Sequence, residues 1–334
     1  APATQDLSSR VLLCDRHDAE NQGTANVLLD NADGALTGLA FDPEASGDRL
    51  ALDFGYVTSA GTEVSAGAPV WVAAVELTAG TGTGYVELIC HDAWSLLAAW
   101  QPRRLYLWPA GSNTILQIIQ WLLARNGIPL VSPPSPSAQL LRTPAYAIQP
   151  ATSGAHALHA LLDQVPETLH FTAQGAVLRT PLAGETPVYA YTPSAHPVLS
   201  YRVHTGAQSL NDVLVFGRSQ PTSTAPTLLA EAIDAPDGLR VAGHPFPVTD
   251  MQVSVAEAAN RAAITLRKAQ YIQDAGEIAT VPNVGLELWD LVALTVGDPG
   301  GWINAPARVR ALHTRYDRLT DGGVYTQSVG LMYP

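Results

Sequence analysis

The chain has 334 residues, 47% of them hydrophobic, which is enough apolar material for two or three folded domains and excludes disorder as its main state. Charged side chains make up only 14%, and 30 acidic against 18 basic groups leave a formal charge of −12, which speaks against a phosphate-gripping surface. Of the cations only Lys268 is a lysine, and no Gly-Lys-Ser/Thr surrounds it, so P-loop and Schiff-base chemistry have one candidate position.

From Val11 to Ala98 short apolar runs alternate with turn residues, the spacing of strands, with turns at Asp33-Gly34, at Ser46-Gly47-Asp48 and in the loop from Gly80 to Gly84. Val70 to Leu77 and Tyr85 to Cys90 read as a hairpin. The first hundred residues therefore predict an antiparallel sheet that closes as a barrel or sandwich. Ser112 then stands where it can cap a helix carrying Ile115, Ile118, Ile119, Leu122 and Leu123, which Gly127 and Pro129 end. The Ser/Pro stretch 132–137 predicts an exposed connector. A second helix starts at Thr152 or Ser153 and stops before Pro166, and two short strands follow, Leu169 to Ala173 and Ala176 to Thr180. Strand spacing returns at Leu199, interrupted by a helix over about 254–269 that Ser254 and Glu257 cap and that lines Ala258, Ala262, Leu266 and Ala269 on one face.

The fold class is thus mainly β with an α/β insert, in three units: 1–100, 101–195 and 196–334. No apolar run reaches the roughly 18 residues of a membrane helix, and the opening Ala-Pro-Ala-Thr-Gln-Asp has no leader character, so no membrane segment is expected. So few charges favour a subunit buried among neighbours, that is, an oligomer.

Catalytic signatures are missing: there is no Gly-x-Ser-x-Gly, no His-Glu-x-x-His and no Cys-x-x-Cys. Cys14 and Cys90 match no zinc spacing and read as two buried thiols, though the sequence leaves open whether they pair. His156 and His159 lie three apart on a helix but lack the partner pattern of a metal site. Asp30, Asn31 and Asp33 before Gly34 read as an Asx-type turn, since Phe41 stands where a calcium loop needs a glutamate. His17-Asp18 and His91-Asp92 fall at strand ends, where neighbours point to opposite faces, a poor arrangement for an acid–base dyad. No catalytic, cofactor or metal site is predicted, and the chain is not expected to be an enzyme. Most of the seven tryptophans sit in apolar runs; Trp302, after Gly300-Gly301, is the loop-like one and a candidate interface anchor.

The order of segments resembles one family. The relevant pieces are Asn26-Val-Leu-Leu-Asp-Asn-Ala-Asp-Gly34, the strand ending in Cys90-His-Asp92, the helix over 112–126, Asn211-Asp-Val-Leu-Val-Phe-Gly217, the helix Ala256 to Lys268, and Gly276-Glu-Ile-Ala-Thr-Val-Pro-Asn-Val-Gly-Leu-Glu-Leu-Trp-Asp290. Together they resemble the tail-hub proteins of tailed bacteriophages and related injection machines, among them the T-even baseplate central hub and the hub part of type VI secretion spikes. One departure stands out: family members often have glycine before the aspartate of the last motif, where this chain has Trp289.

That resemblance implies two tail-tube-like antiparallel β-barrels flanking the α/β insert, and a homotrimer whose six barrels form a pseudo-sixfold ring continuing the tail tube. It further implies a virion protein of the tail tip or baseplate, assembled in the host cytoplasm, with a tail tube or distal tail protein, a tape measure protein, and tail fibre or spike proteins as partners. DNA would pass as cargo along a neutral or acidic wall, so the charge deficit allows it as cargo and excludes it as a ligand. Two rival readings remain: a β-rich receptor- or carbohydrate-binding tail module, for which Trp302 is the aromatic to test, and a secreted β-fold glycoside hydrolase, which needs two carboxylates in one cleft.

Overall fold

Alternation along the first strands sets which residues are inside. In β2 (Gln22–Asp30), Gly23, Ala25, Val27 and Leu29 are buried while Thr24, Asn26 and Leu28 are not. The computed structural model describes residues 5–37, 48–59, 61–131, 133, 135–182, 184–204, 211–217, 227–233, 246–249, 255–271, 274–296 and 305–333. With β2, the N-terminal third holds β1 (Val11–Ala19), β3 (Arg49–Leu50), β4 (Asp53–Thr58), β5 (Gly61–Ala66), β6 (Val70–Gly80) and β7 (Thr83–His91).

The middle of the chain holds α1 (Ala93–Ala99), β8 (Tyr106–Trp108), α2 (Ile115–Arg125), β9 (Leu130–Val131), β10 (Tyr146–Ile148), α3 (Gly154–Leu162), β11 (Thr168–Thr172) and β12 (Gly175–Arg179). The last third holds β13 (Tyr189–Tyr191), β14 (Val198–Val203), β15 (Asp212–Gly217), β16 (Thr227–Ile233), β17 (Phe246–Thr249), α4 (Val255–Tyr271), β18 (Asp274–Thr280), β19 (Leu291–Leu294), β20 (Ala305–Asp317) and β21 (Val324–Met332).

Two local expectations are corrected. Residues 93–99 form a helix rather than continuing the strand pattern, because the Asp92 carboxylate accepts the Trp94 amide and caps the turn. The cap of α2 is Thr114 rather than Ser112: Thr114 Oγ1 accepts from Gln117 N while the Gln117 side chain accepts from Thr114 N, a reciprocal capping box. Ser112 instead donates its hydroxyl to the Pro109 carbonyl. Ser254, the expected cap of α4, lies outside the described residues, as do Ser46 and Gly47 of the turn expected at 46–48.

The first and last thirds share one sheet. Its strand order is β14-β18-β21-β20-β1-β2-β7-β6-β3, with β19 added beside β20 and β13 beside β19. The joint is the antiparallel pairing of β1 with β20, from Leu13 opposite Asp317 to Ala19 opposite Ala311. No pairing among the described strands closes either half into a ring.

One side of this sheet is covered by two apolar cores. The N-terminal core gathers Cys14, Val27, Leu29, Val70, Val72, Val86, Leu88 and Cys90; the C-terminal core gathers Tyr191, Ile278, Val292, Leu294, Val309, Val329 and Leu331. Burying each such aliphatic side chain stabilises by about 1.5–3 kcal/mol, so these rows fix which face of every strand points inward. A third core, from Ala93 to Leu178, packs α1, α2 and α3 against the three-stranded sheet β11-β12-β9. A fourth sets Ala258, Ala262 and Leu266 of α4 on Val213 and Val215 of β15.

The middle unit is tied to the C-terminal half by an ionic knot. Arg308 is fully buried and donates to Glu185 Oε2 at 2.7 Å and to the carbonyls of Trp289 and Leu182 at 3.1 Å each. Arg179 on β12 donates to Asp290 Oδ1 at 2.8 Å and lies 3.6 Å from Glu185. The single lysine serves packing too: Lys268 donates to the Leu162 carbonyl at 2.6 Å, and burial pushes its pKa down.

Candidate functional site

The distinctive feature of these strands is the sheet face that the two cores leave open. Directly paired residues share a face, so rows can be followed across the sheet. One row runs His91, Thr24, His17, His313, Ser328, Ala279, Ser200, crossing seven strands from β7 to β14. The next runs Ile89, Asn26, Asp15, Arg315, Thr326. These side chains are half-buried or exposed, and most are polar.

Carboxylates prevail on this face. Asp15, Asp30, Glu76, Glu87 and Glu277 belong to it, against the guanidiniums of Arg202 and Arg315. Glu76 sits directly opposite Glu87, a like-charge cross-strand pair that disfavours an anion nearby. Elsewhere the carboxylates have partners: His313 Nε2 lies 2.7 Å from Asp15 Oδ1, and Arg202 lies 3.3 Å from Glu277.

At the joint of the two halves the covered face changes character. Where β1 meets β20 and β21, Arg16, Thr314 and Gln327 lie side by side in place of aliphatic residues. Over them opens a cleft of about 100 Å³ that Asp92, Trp94, His170 and Glu287 also line. Arg16 grips Asp18 with two hydrogen bonds of 2.7 and 3.0 Å, and His170 Nε2 stands 3.8 Å from Glu287 Oε2.

Burial pushes the Asp92 carboxyl up to about 7, against the pull of the Trp94 and Gly23 backbone contacts. A raised carboxyl stabilises the fold fully below its unfolded value and loses that contribution as pH climbs through about 7. Asp92→Asn keeps the cap, since asparagine caps as well as aspartate. The variant is expected to gain roughly 1–3 kcal/mol over the parent at pH 8 and to match it near pH 4, measured by urea unfolding at both. Equal pH dependence in the two chains would contradict this assignment.

The other sequence candidates have structural partners. Cys14 and Cys90 are free and buried, and burial pushes both thiols up to about 12, so they are inert at neutral pH. His159 stacks on Trp94 with ring centroids 4.7 Å apart. His17 faces the open side while Asp18 faces the cleft, as the strand geometry requires, and His91 and Asp92 divide in the same way. Asp30 and Asp33 close Asx turns onto Ala32 N and Ala35 N, and Asp33 pairs with Arg10 at 2.7 Å. Among the described residues no group of three or more His, Cys, Asp or Glu is placed to hold a metal. Trp302 lies outside the described residues.

Comparison with known proteins supplies the frame for these observations. No family model matches the chain, and no curated protein does. Solved structures match over nearly its whole length. A tail protein from Neisseria meningitidis MC58 superposes with a TM-score of 0.66 at 12% identity, covering 97% of this chain and 92% of that one. The 43 kDa tail protein of prophage MuSo2 from Shewanella oneidensis gives 0.63 at 14%, over 97% and 94%. An E. coli type VI secretion component with structural similarity to the T4 tail proteins gp27 and gp5 gives 0.57 at 12%, over 97% and 74%.

The chain has the tail-hub fold.

Within that fold the substitution at Trp289 acquires a geometry. Its φ is +72°, in the left-handed region where glycine is the ordinary occupant, yet the indole is 3% exposed and packs on Met332 and Leu288. Its amide donates to the Val309 carbonyl at 2.8 Å, which holds the turn in place. What the sequence left unread was the ionic knot. Its signal is a charged residue within an unbroken buried run of a strand: Ala307 and Val309 face the C-terminal core, and Arg308 between them is buried on the other side.

Proposed function

We propose that the chain is a structural, non-enzymatic hub subunit of a phage tail tip or baseplate. Three copies form a pseudo-sixfold ring that continues the tail tube, with the open sheet face lining the channel. The observation that carries this is the single sheet joined through β1 and β20, covered on one side by both cores and polar with a surplus of carboxylates on the other. An acidic wall repels the DNA backbone and lets it slide, where a basic wall would hold it. The units 1–100 and 196–334 each supply one tube-like element to the ring, and 101–195 stands outside the channel.

Ring closure needs strand edges, and two are present. β14 pairs with β18 on one side alone among the described strands, with Leu199, Ser200, Tyr201 and Arg202 exposed. At the other end β3 covers β6 only at Val70 and Trp71. Edges of this kind invite pairing with another chain. A virion location, a tail tube or distal tail protein above the ring, tail fibre or spike proteins below it, and a tape measure protein and DNA passing through complete the reading. Native mass spectrometry of the purified chain is expected to give a threefold mass. A monomer that persists when tail-tube protein is added contradicts the proposal.

A further inference from the structure

We propose that the middle unit carries a docking face for a second copy of this chain, built from aromatic rings capped by guanidinium groups and received by the β4–β5 hairpin of the neighbour. The ring reading places subunit contacts at sheet edges; this one is a separate contact, outside the channel.

The charge of the chain is divided sharply along its length. Residues 1–92 carry 14 acidic and three basic side chains, whereas residues 93–162 carry four arginines and no carboxylate at all. The remaining residues, 163–334, carry 16 acidic and 11 basic groups. A cationic stretch of 70 residues inside a chain of net charge −12 is an electrostatic complement to the chain's own N-terminal third.

Three of the four arginines are exposed, and two of them, Arg104 and Arg125, lie over an aromatic cluster on β8, β10 and α2. Tyr106 and Trp121 lie 4.8 Å apart, Trp108 and Trp121 5.1 Å, and Trp108 and Tyr146 6.1 Å, all partly exposed. Arg104 sits over Tyr106 at 5.3 Å, and Arg125 over Tyr106 at 5.8 Å and over Trp121 at 5.2 Å. The guanidiniums thus occupy ring faces that a sugar or a nucleic-acid base would need for stacking. Arg125 also donates an N–H to the Tyr106 hydroxyl at 3.4 Å, and since both arginines are exposed their remaining donors are open to a carboxylate. Trp, Tyr and Arg are also the residues that dominate protein–protein contacts.

The hairpin fits this face. On its outer side Asp53, Val57 and Val64 are exposed, Val57 by 89% and Val64 by 58%, while Phe54 and Tyr56 on the other side pack on Tyr325. Glu63 is exposed too, but it pairs with Tyr56 and lies on that other side. Two valines offer apolar contact to the rings, and Asp53 on the same face offers its carboxylate to the guanidiniums of Arg104 and Arg125.

The test is self-association of the full chain, followed by analytical ultracentrifugation at low and high salt, with hydrogen exchange on the assembled state. Arg104→Glu/Arg125→Glu and Asp53→Arg are each expected to weaken association by about tenfold or more, and the triple variant to recover part of it. Residues 103–108 and 121–125 are expected to gain exchange protection on assembly in the parent and to lose that gain in the first variant. A triple variant no better than either of the two it combines, or a ring formed by the parent without protection at this face, overturns the proposal and leaves the ring reading intact. So does unchanged self-association combined with salt-sensitive binding of a single-stranded oligonucleotide that the first variant loses. A parent chain that is monomeric at every salt concentration overturns this proposal, and the ring reading falls with it where added tail-tube protein does not assemble the chain.

Discussion

Arg308→Met is expected to destabilise the fold by about 3–5 kcal/mol, because it leaves the Glu185 carboxylate without its closest cation and three acceptors without their donor. Methionine fills much of the volume, so the loss reports the ionic and hydrogen-bond contribution rather than a cavity. Urea unfolding near pH 7 measures it. Burial of Glu185 alone would raise its carboxyl, but hydrogen bonds from Arg308 and Leu182 N together hold it below its ordinary value. A depressed carboxyl contributes stability above its unfolded pKa and loses it as pH falls through the folded one. The gap between parent and variant is therefore expected to narrow below about pH 4. Arg308→Met/Glu185→Gln, which removes both charges, is expected to regain part of the loss; a double variant worse than the single one contradicts this account of the knot.

Trp289→Gly is expected to cost about 1–4 kcal/mol, the difference between two opposed effects. Removing a buried tryptophan costs about 3–5 kcal/mol, and placing glycine at a φ of +72° returns about 1–2 kcal/mol of backbone strain. Trp289→Ala loses the indole without relieving the backbone, so it is expected to be the less stable of the two by about 1 kcal/mol. Thermal unfolding of both variants gives the order. Alanine above glycine would mean that the turn is unstrained and the left-handed geometry carries no cost.

Much of the fold was legible because local chemistry and global packing agree. The apolar stripe of α2, Ile115 to Leu123, the hairpin between β6 and β7, and the alternation of β2 each report one periodicity and one buried face. Helix α1 was hidden because its seven residues, Ala93–Ala99, are too few for a period to emerge and its cap, Asp92, also ends a strand. The joint of β1 with β20 could not be read at all: it pairs residues almost 300 positions apart, and nothing in either strand names its partner.

The open face followed the same limit. Alternation in β1 separates Leu13, Asp15 and His17 from Cys14, Arg16 and Asp18, but only the placement of the cores tells which set is left uncovered. The cleft shows why Arg16 and Gln327 sit at inward positions: they mark the seam between two apolar cores. The docking face was visible in principle by counting, since no carboxylate stands between Asp92 and Asp163. Whole-chain charge conceals that division.

The central claim is that the open face of the joined sheet lines the channel of a threefold ring. Cryo-electron microscopy of the assembled chain tests it most directly. The account requires three copies around an axis, with Asp15, Asn26, His17 and Glu87 pointing into the lumen and both apolar cores outside it. A ring whose lumen is lined by the cores' side of the sheet, or by arginines, would contradict it.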